Sequence, residues 1–358
     1  MSTDTMSPVV SESGVVFTVE DSAGNLAGVN LYQEIQRPRI GPAFTRTPDL
    51  KSWELALPRP DVDRMEYLLE LVVEGGSPRL TPDPSNRLRA SGPFGDKSVV
   101  EWPEYRRPSW LEGEFANPGP IARGSIECRP LRTSLPVLLW SSHGADQGRP
   151  LPLLVAHDGP EYAELSKLLM LLDQKIVEGM LPPMRAALVG PVERNEIYSA
   201  SALYGRVLAH EIIPWLSRHA PTPRGRRFRV GMGASLGGLA MLHAHRTHPA
   251  SFGALFLQSG SFFRQRFDQH ERGFPRFRRI SRFVGRVLTA DEWMHPIPVT
   301  MTCGTIEENL ANNQAVHDAL AAQSYDVGLV VNRDGHNWVG WRDTLDPHLV
   351  EFLQKTWA

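Results

Sequence analysis

Cysteine is nearly absent: Cys128 and Cys303 are the only two in 358 residues and lie far apart. That excludes a disulfide scaffold and fits a reducing compartment. No run approaches the ~18 consecutive apolar residues needed to span a bilayer. The start, Met1-Ser2-Thr3-Asp4-Thr5-Met6-Ser7-Pro8, lacks the basic and apolar regions of a signal peptide, so a cytoplasmic protein is expected. An excess of charge is missing too. A formal net charge of −2 offers no general attraction to nucleic acid or an anionic membrane, and neither is expected as a partner. What remains, 41% hydrophobic and 22% charged residues, is the composition of an ordinary globular chain long enough for two domains.

The chain reads in two rhythms. Residues 1–13 are small and polar, an expected disordered tail. Within 14–100, short β-prone runs (Val15–Val19, Gly28–Tyr32, Trp53–Leu57, Glu66–Val73) are separated by turn clusters, with no helical period between them. This spacing predicts a β-sandwich domain. A linker is expected over 101–118, where Trp102, Tyr105 and Trp110 alternate with prolines; such rings suit packing between domains. From 119 to 358 strands and helices alternate. Helices are expected over Tyr162–Ile176, over Leu203–Trp215 with a bend or end at Pro214, and from Leu239 to near Pro249. Such alternation predicts an α/β fold, a mostly parallel sheet with helices on both faces, with its site at the carboxyl ends of the strands.

Val230-Gly231-Met232-Gly233-Ala234-Ser235-Leu236-Gly237-Gly238-Leu239 is where chemistry enters. A strand runs into a sharp turn and then a helix, with a Gly-x-Ser-x-Gly pattern centred on Ser235. At such an elbow the glycines keep Cβ atoms out of the crowded turn and the serine hydroxyl projects above the sheet. Serine needs a base to take its proton, and α/β-hydrolases supply acid and base later in the chain. His336, in Arg333-Asp334-Gly335-His336-Asn337-Trp338 after the last strand, is the candidate base. Glu307 is the candidate acid, with Glu308 in reserve. The Leu236 N–H is one expected oxyanion donor. The second comes from His157-Asp158-Gly159-Pro160-Glu161; Pro160 has no N–H, which leaves Gly159 or Glu161. His243, His245 and His248 lack the spacing of a metal site and read as packed or solvated. No metal or organic cofactor is expected.

Taken together, these segments resemble the enterochelin (enterobactin) esterase family of α/β-hydrolases, related to esterase D and the mycobacterial mycolyltransferases. The resemblance spans almost the whole chain. It rests on Trp53, Arg64 and Tyr67; Asp83-Pro84-Ser85-Asn86; Trp102-Pro103-Glu104-Tyr105; His157-Asp158-Gly159; Glu193-Arg194-Asn195-Glu196; the elbow at Ser235; Gln258-Ser259-Gly260-Ser261-Phe262; Gly304-Thr305-Ile306-Glu307; and Gly335-His336-Asn337-Trp338 with Trp341-Arg342. It implies an N-terminal immunoglobulin-like domain, hydrolysis of the esters of a catecholate trilactone siderophore, apo or iron-loaded, and substrate binding by Arg194 and Trp338. Pro160 departs from the family pattern, in which an N–H is common at that place. Arginines between 264 and 286 form a basic segment where such hydrolases carry a lid, and an anionic substrate would be drawn to it. Acyl transfer, carbohydrate-ester cleavage and a non-catalytic binding role are the alternatives on the same scaffold.

Overall fold

The computed structural model describes residues 8–113, 119–146 and 148–358. The expected tail at 1–7 and the linker stretch 114–118 lie outside them. The chain divides into two compact units. One comprises the residues up to 107 together with 304–308 and 332–340. The other comprises 108–303, 309–331 and 341–358.

The first unit is built on two antiparallel sheets. One has the order Val9–Ser11, Gly14–Glu20, Ser52–Pro58, Thr45–Arg46. The other runs Ile40–Ala43, Leu26–Gln33, Arg64–Val73, Lys97–Glu101, Arg89–Ala90, with Arg79–Thr81 paired to Arg64–Val73. Alternation drives it. Val15, Phe17 and Val19 on one strand, Val29 and Leu31 on another and Met65, Tyr67 and Leu69 on a third are all buried in a single core, as strand geometry with a period of two requires. Residues 8–13, expected as tail, instead supply an edge strand through Val9–Ser11 paired to Gly14–Val16. Trp102 closes this core. Trp53 is half-buried, its indole N–H on Asp21 at 3.3 Å and Arg46 over its ring.

The second unit carries an eight-stranded sheet in the order Ile121–Cys128, Thr133–Ser141, Arg185–Val189, Leu153–His157, Arg229–Ala234, Ala254–Gln258, Val299–Gly304, Val327–Asn332. The first two strands are antiparallel additions, and the pairings from Arg185–Val189 through Val299–Gly304 are parallel. Leu153–His157, Arg185–Val189 and Ala254–Gln258 are buried at every position, the mark of strands covered on both faces.

Two helices differ from their periodicity. The span Tyr162–Ile176 is broken: Lys167 takes a left-handed φ of 52° and separates Gly159–Glu164 from Leu168–Val177. At Pro214 the helix does not end. A π-helical turn, Leu208–Ile212, widens the helix just ahead of Ile213–His219, where the proline lies, and helical backbone continues from one into the other. The basic segment ends in the amphipathic helix Phe277–Leu288. It buries Phe277, Ile280, Phe283, Val284 and Val287 and exposes Arg278, Arg282 and Arg286. No helix among the described residues is long and apolar enough to cross a membrane.

Candidate active site

Non-glycine residues with positive φ are few, yet the second unit sets one just beyond each of four neighbouring parallel strands. Asp158 (φ 51°) follows Leu153–His157, and Glu193 (φ 52°) comes shortly after Arg185–Val189. Ser235 (φ 55°) follows Arg229–Ala234, and Ser259 (φ 48°) follows Ala254–Gln258. Each such backbone costs of order 1–3 kcal/mol and persists only where its surroundings over-determine it, a pattern that gathers at functional sites.

Ser235 is the extreme case. Its ψ of −121° lies outside the left-handed helical well that asparagine or aspartate visits. Three hydrogen bonds hold it there. Its N–H donates to the Gln258 carbonyl at 2.8 Å, and its carbonyl accepts from the N–H groups of Leu239 and Ser261, both at 3.1 Å. The glycines are required by space: a Cβ on Gly233 would meet the Gly237 backbone at 2.5 Å. The Ser235 hydroxyl lies 3.1 Å from that of Ser261. Leu236 opens the helix Leu236–Thr247.

Beneath the elbow sits His157, fully buried. Its Nδ1 is 3.1 Å from the Gly237 carbonyl, which can only accept, so Nδ1 carries the proton; Nε2 then accepts from the Tyr204 hydroxyl at 2.7 Å. Burial pushes this imidazole down to about 4 and keeps it neutral. Asp158 is gripped by Arg194, Nε to Oδ1 at 2.7 Å and a second nitrogen to Oδ2 at 2.8 Å. The fork assigned to substrate by resemblance is thus engaged within the protein. Gly159 packs so tightly that a Cβ would lie 2.3 Å from the Leu188 backbone. Glu161 follows in the same first helical turn, and burial raises its carboxyl. His243 and His245 pack against Phe283 and Tyr325, and His248 meets the ring of His210.

In the first unit the other two candidates meet. His336 Nδ1 is 2.7 Å from Glu307 Oε2, while Glu307 Oε1 accepts from the Gly304 N–H at 2.8 Å. The Glu307 side chain is almost wholly buried, and about a third of the His336 side chain is accessible. Desolvation pulls the imidazole down, but the Glu307 charge and hydrogen bond outweigh it, so His336 stands above its ordinary value. A carboxylate on Nδ1 selects the tautomer with its proton there and leaves Nε2 as the basic atom. Glu308 points elsewhere, held by Arg37 at 2.8 Å and Arg39 at 3.2 Å. Trp338, half-buried, opens the short helix Trp338–Asp343.

Several supporting residues were given no role in the sequence reading. Gln258 ties the elbow to the C-terminal helices, accepting from the Tyr162 hydroxyl at 2.6 Å and donating to the Trp341 carbonyl at 2.9 Å and Thr344 at 2.8 Å. Asn309 and Asn313 fasten the Ser259–Gly260 turn through its carbonyls. Asp334 is buried and accepts from the Gly335 N–H at 2.7 Å and from Asn337 at 2.8 Å; desolvation pushes its carboxyl up to about 7. Nothing in composition or spacing marks Gln258, Asn309 or Asn313, because each acts on chain distant in sequence, whereas Asp334 acts within its own turn.

Comparison with known proteins agrees with this architecture. The chain is 28% identical over 219 residues to the iron(III) enterobactin esterase of Dickeya dadantii (strain 3937), a match covering 58% of this chain and 49% of that protein. The match spans about half the length of that curated relative. Among solved structures, the enterobactin esterase of Shigella flexneri, determined in the presence of enterobactin, aligns with a TM-score of 0.75 at 18% identity over 98% of this chain and 94% of that one. The ferric enterobactin esterase of Salmonella typhimurium gives 0.76 at 19%, over 96% and 93%. The model of the esterase family, described as "putative esterase", matches residues 131–352. With a fold like theirs and a family match over more than half its length, the chain belongs to the esterase family, enzymes that hydrolyse esters.

Proposed function

We propose that this protein cleaves carboxylic esters by nucleophilic catalysis, with Ser235 as nucleophile, His336 as base and Glu307 as the acid that orients it. The single observation that carries the reading is the backbone of Ser235, braced at φ 55° and ψ −121° at the end of a parallel strand. The His336–Glu307 hydrogen bond supports it, since it presets Nε2 as the basic atom. In the proposed sequence Ser235 Oγ attacks the ester carbonyl carbon while Nε2 takes the hydroxyl proton. The oxyanion is met by the Leu236 N–H and one first-turn N–H, Gly159 or Glu161. Collapse breaks the ester C–O bond, the alcohol leaves with the proton from the imidazolium, and water repeats the cycle on the acyl-enzyme.

The proposed substrate is a catecholate trilactone siderophore, free or iron-loaded, acted on in the cytoplasm. It rests on the likeness to enterobactin esterases and on the exposed arginines of Phe277–Leu288, which suit an anionic ligand. Arg276, at the cap of that helix, and Arg279 are paired with Glu196, so Arg278, Arg282 and Arg286 are the proposed attractors. Mass spectrometry of apo and ferric trilactones incubated with wild type and Ser235→Ala tests this. Linear fragments should form with the wild type alone. Trilactones that survive an enzyme still active on simple esters would replace the substrate assignment and leave the triad intact.

A further inference from the structure

We propose that the β-sandwich positions both loops carrying the base and the acid, through the segment Asp61–Arg64, and so sets the geometry of the acid–base pair. This deepens the triad reading and rests on it. Glu307 and His336 lie on loops that leave Val299–Gly304 and Val327–Asn332, yet both loops belong to the compact unit of residues up to 107.

The contacts say why. Thr305, two residues before Glu307, donates its hydroxyl to the Asp61 carbonyl at 2.8 Å. Arg333, three residues before His336, is held three ways. Its carbonyl accepts from the Asp63 N–H at 3.0 Å. Its Nε donates to Asp63 Oδ1 at 2.9 Å, and its guanidinium also meets the Asp61 carboxylate. Next along, buried Arg64 lines one small cleft with Asp334 and His336, and its charge favours the ionised form of Asp334, the carboxylate that folds the histidine turn. Thr305 N–H donates to the Asn332 carbonyl at 2.8 Å, joining the two loops.

A bond of 2.7 Å between Glu307 and His336 needs two separate loops in fixed register. Fastening both to one four-residue segment supplies that register. Asp61, Asp63, Arg64, Thr305 and Arg333 would then be positioning residues, since none touches the reacting atoms.

Arg333 and Asp61 are exposed, and exposed pairs add little to global stability. A variant lacking them should therefore fold. The test uses the full chain carrying Arg333→Met and Thr305→Val, with p-nitrophenyl butyrate as substrate. We expect kcat to fall about tenfold with KM little changed, as small misplacements of catalytic groups cause. The acid limb of the kcat/KM profile should move to lower pH, because loosening Glu307 removes what raises His336. The His336 imidazole titration followed by NMR should move the same way without any turnover. Arg333→Lys, which keeps the charge facing Asp61 and Asp63, should recover most of kcat. Wild-type kcat and an unmoved titration would overturn the proposal, whatever happens to Tm. Should the double variant fail to fold, Thr305→Val alone gives the same readouts. His336→Ala separates the two levels: if it leaves activity intact the triad reading fails and the clamp with it. If it abolishes activity while the clamp variant matches wild type, only the clamp fails.

Discussion

The elbow at Ser235 and the loops of Glu307 and His336, the proposed nucleophile and its acid–base pair, each hold a side chain still, by opposite means. At the elbow the constraint is steric and dry. Glycines permit backbone contact at distances no Cβ would survive, and a neutral buried histidine props the turn from below. The loops of Glu307 and His336 are held from afar and with charge: Arg333 meets Asp63 across 270 residues of sequence. A strained backbone is specified by what cannot fit, whereas a loop is specified by what ties it down. The elbow should accordingly answer to volume, and the loops to charge.

The sharpest way to break that contrast is to remove charge where it is supposed to matter. Glu307→Gln should lower kcat by roughly 10²–10⁴ and bring the acid limb of the pH profile down toward the ordinary histidine range near 6.5. The raised imidazole of His336 owes its position to that carboxylate. Glu308→Gln, which removes the Arg37 and Arg39 pairs, should stay within about threefold, since exposed ion pairs are worth little. Equal effects from the two would erase the distinction.

Volume is the complementary probe. Gly233→Ala forces a Cβ to within 2.5 Å of the Gly237 backbone. It should cost ~1–3 kcal/mol or more, read as a lower denaturation midpoint alongside lost activity. An alanine variant with wild-type stability would mean that the turn is looser than the structure has it.

Acid offers a subtler test, because the two regions respond with opposite signs. His157, His243 and His245 are buried and held neutral, pushed by burial down to about 4, about 4 and about 3. Each takes up a proton on unfolding but not in the fold, so stability should fall as pH drops from about 6.5 toward 4, by ~1.4 kcal/mol per pH unit per histidine. His336 and Asp334, both raised, bind protons more readily in the fold and oppose that loss. Denaturant unfolding at pH 7 and pH 5 should show a net decrease, and Asp334→Asn should deepen it. An unchanged free energy would contradict the neutral histidines.

Much of the fold was legible because it is written in periodicity. Alternation at Val15, Phe17 and Val19 and unbroken apolar runs such as Leu153–Ala156 each announce a strand and its environment. The strand–turn–helix around Ser235 was equally plain, being coded by adjacent residues. The break at Lys167 was not, since a left-handed residue inside an apolar period leaves no compositional trace. Nor could periodicity reveal that Arg194 would grip Asp158 or that Asp61 and Asp63 would reach the histidine loop. Two adjacent glutamates, 307 and 308, look alike in sequence; what distinguishes them in the structure is Arg37 and Arg39, contributed by the other end of the chain.

The central claim is that Ser235 is a nucleophile activated by His336, and covalent labelling addresses it without a choice of substrate. Wild type, Ser235→Ala and His336→Ala would be treated with a fluorophosphonate and the modified peptide mapped by mass spectrometry. The account predicts label on Ser235 alone, none in Ser235→Ala, and a labelling rate reduced at least ~10²-fold in His336→Ala, the scale of lost general-base catalysis. Label absent from Ser235, or a rate indifferent to His336, would contradict it.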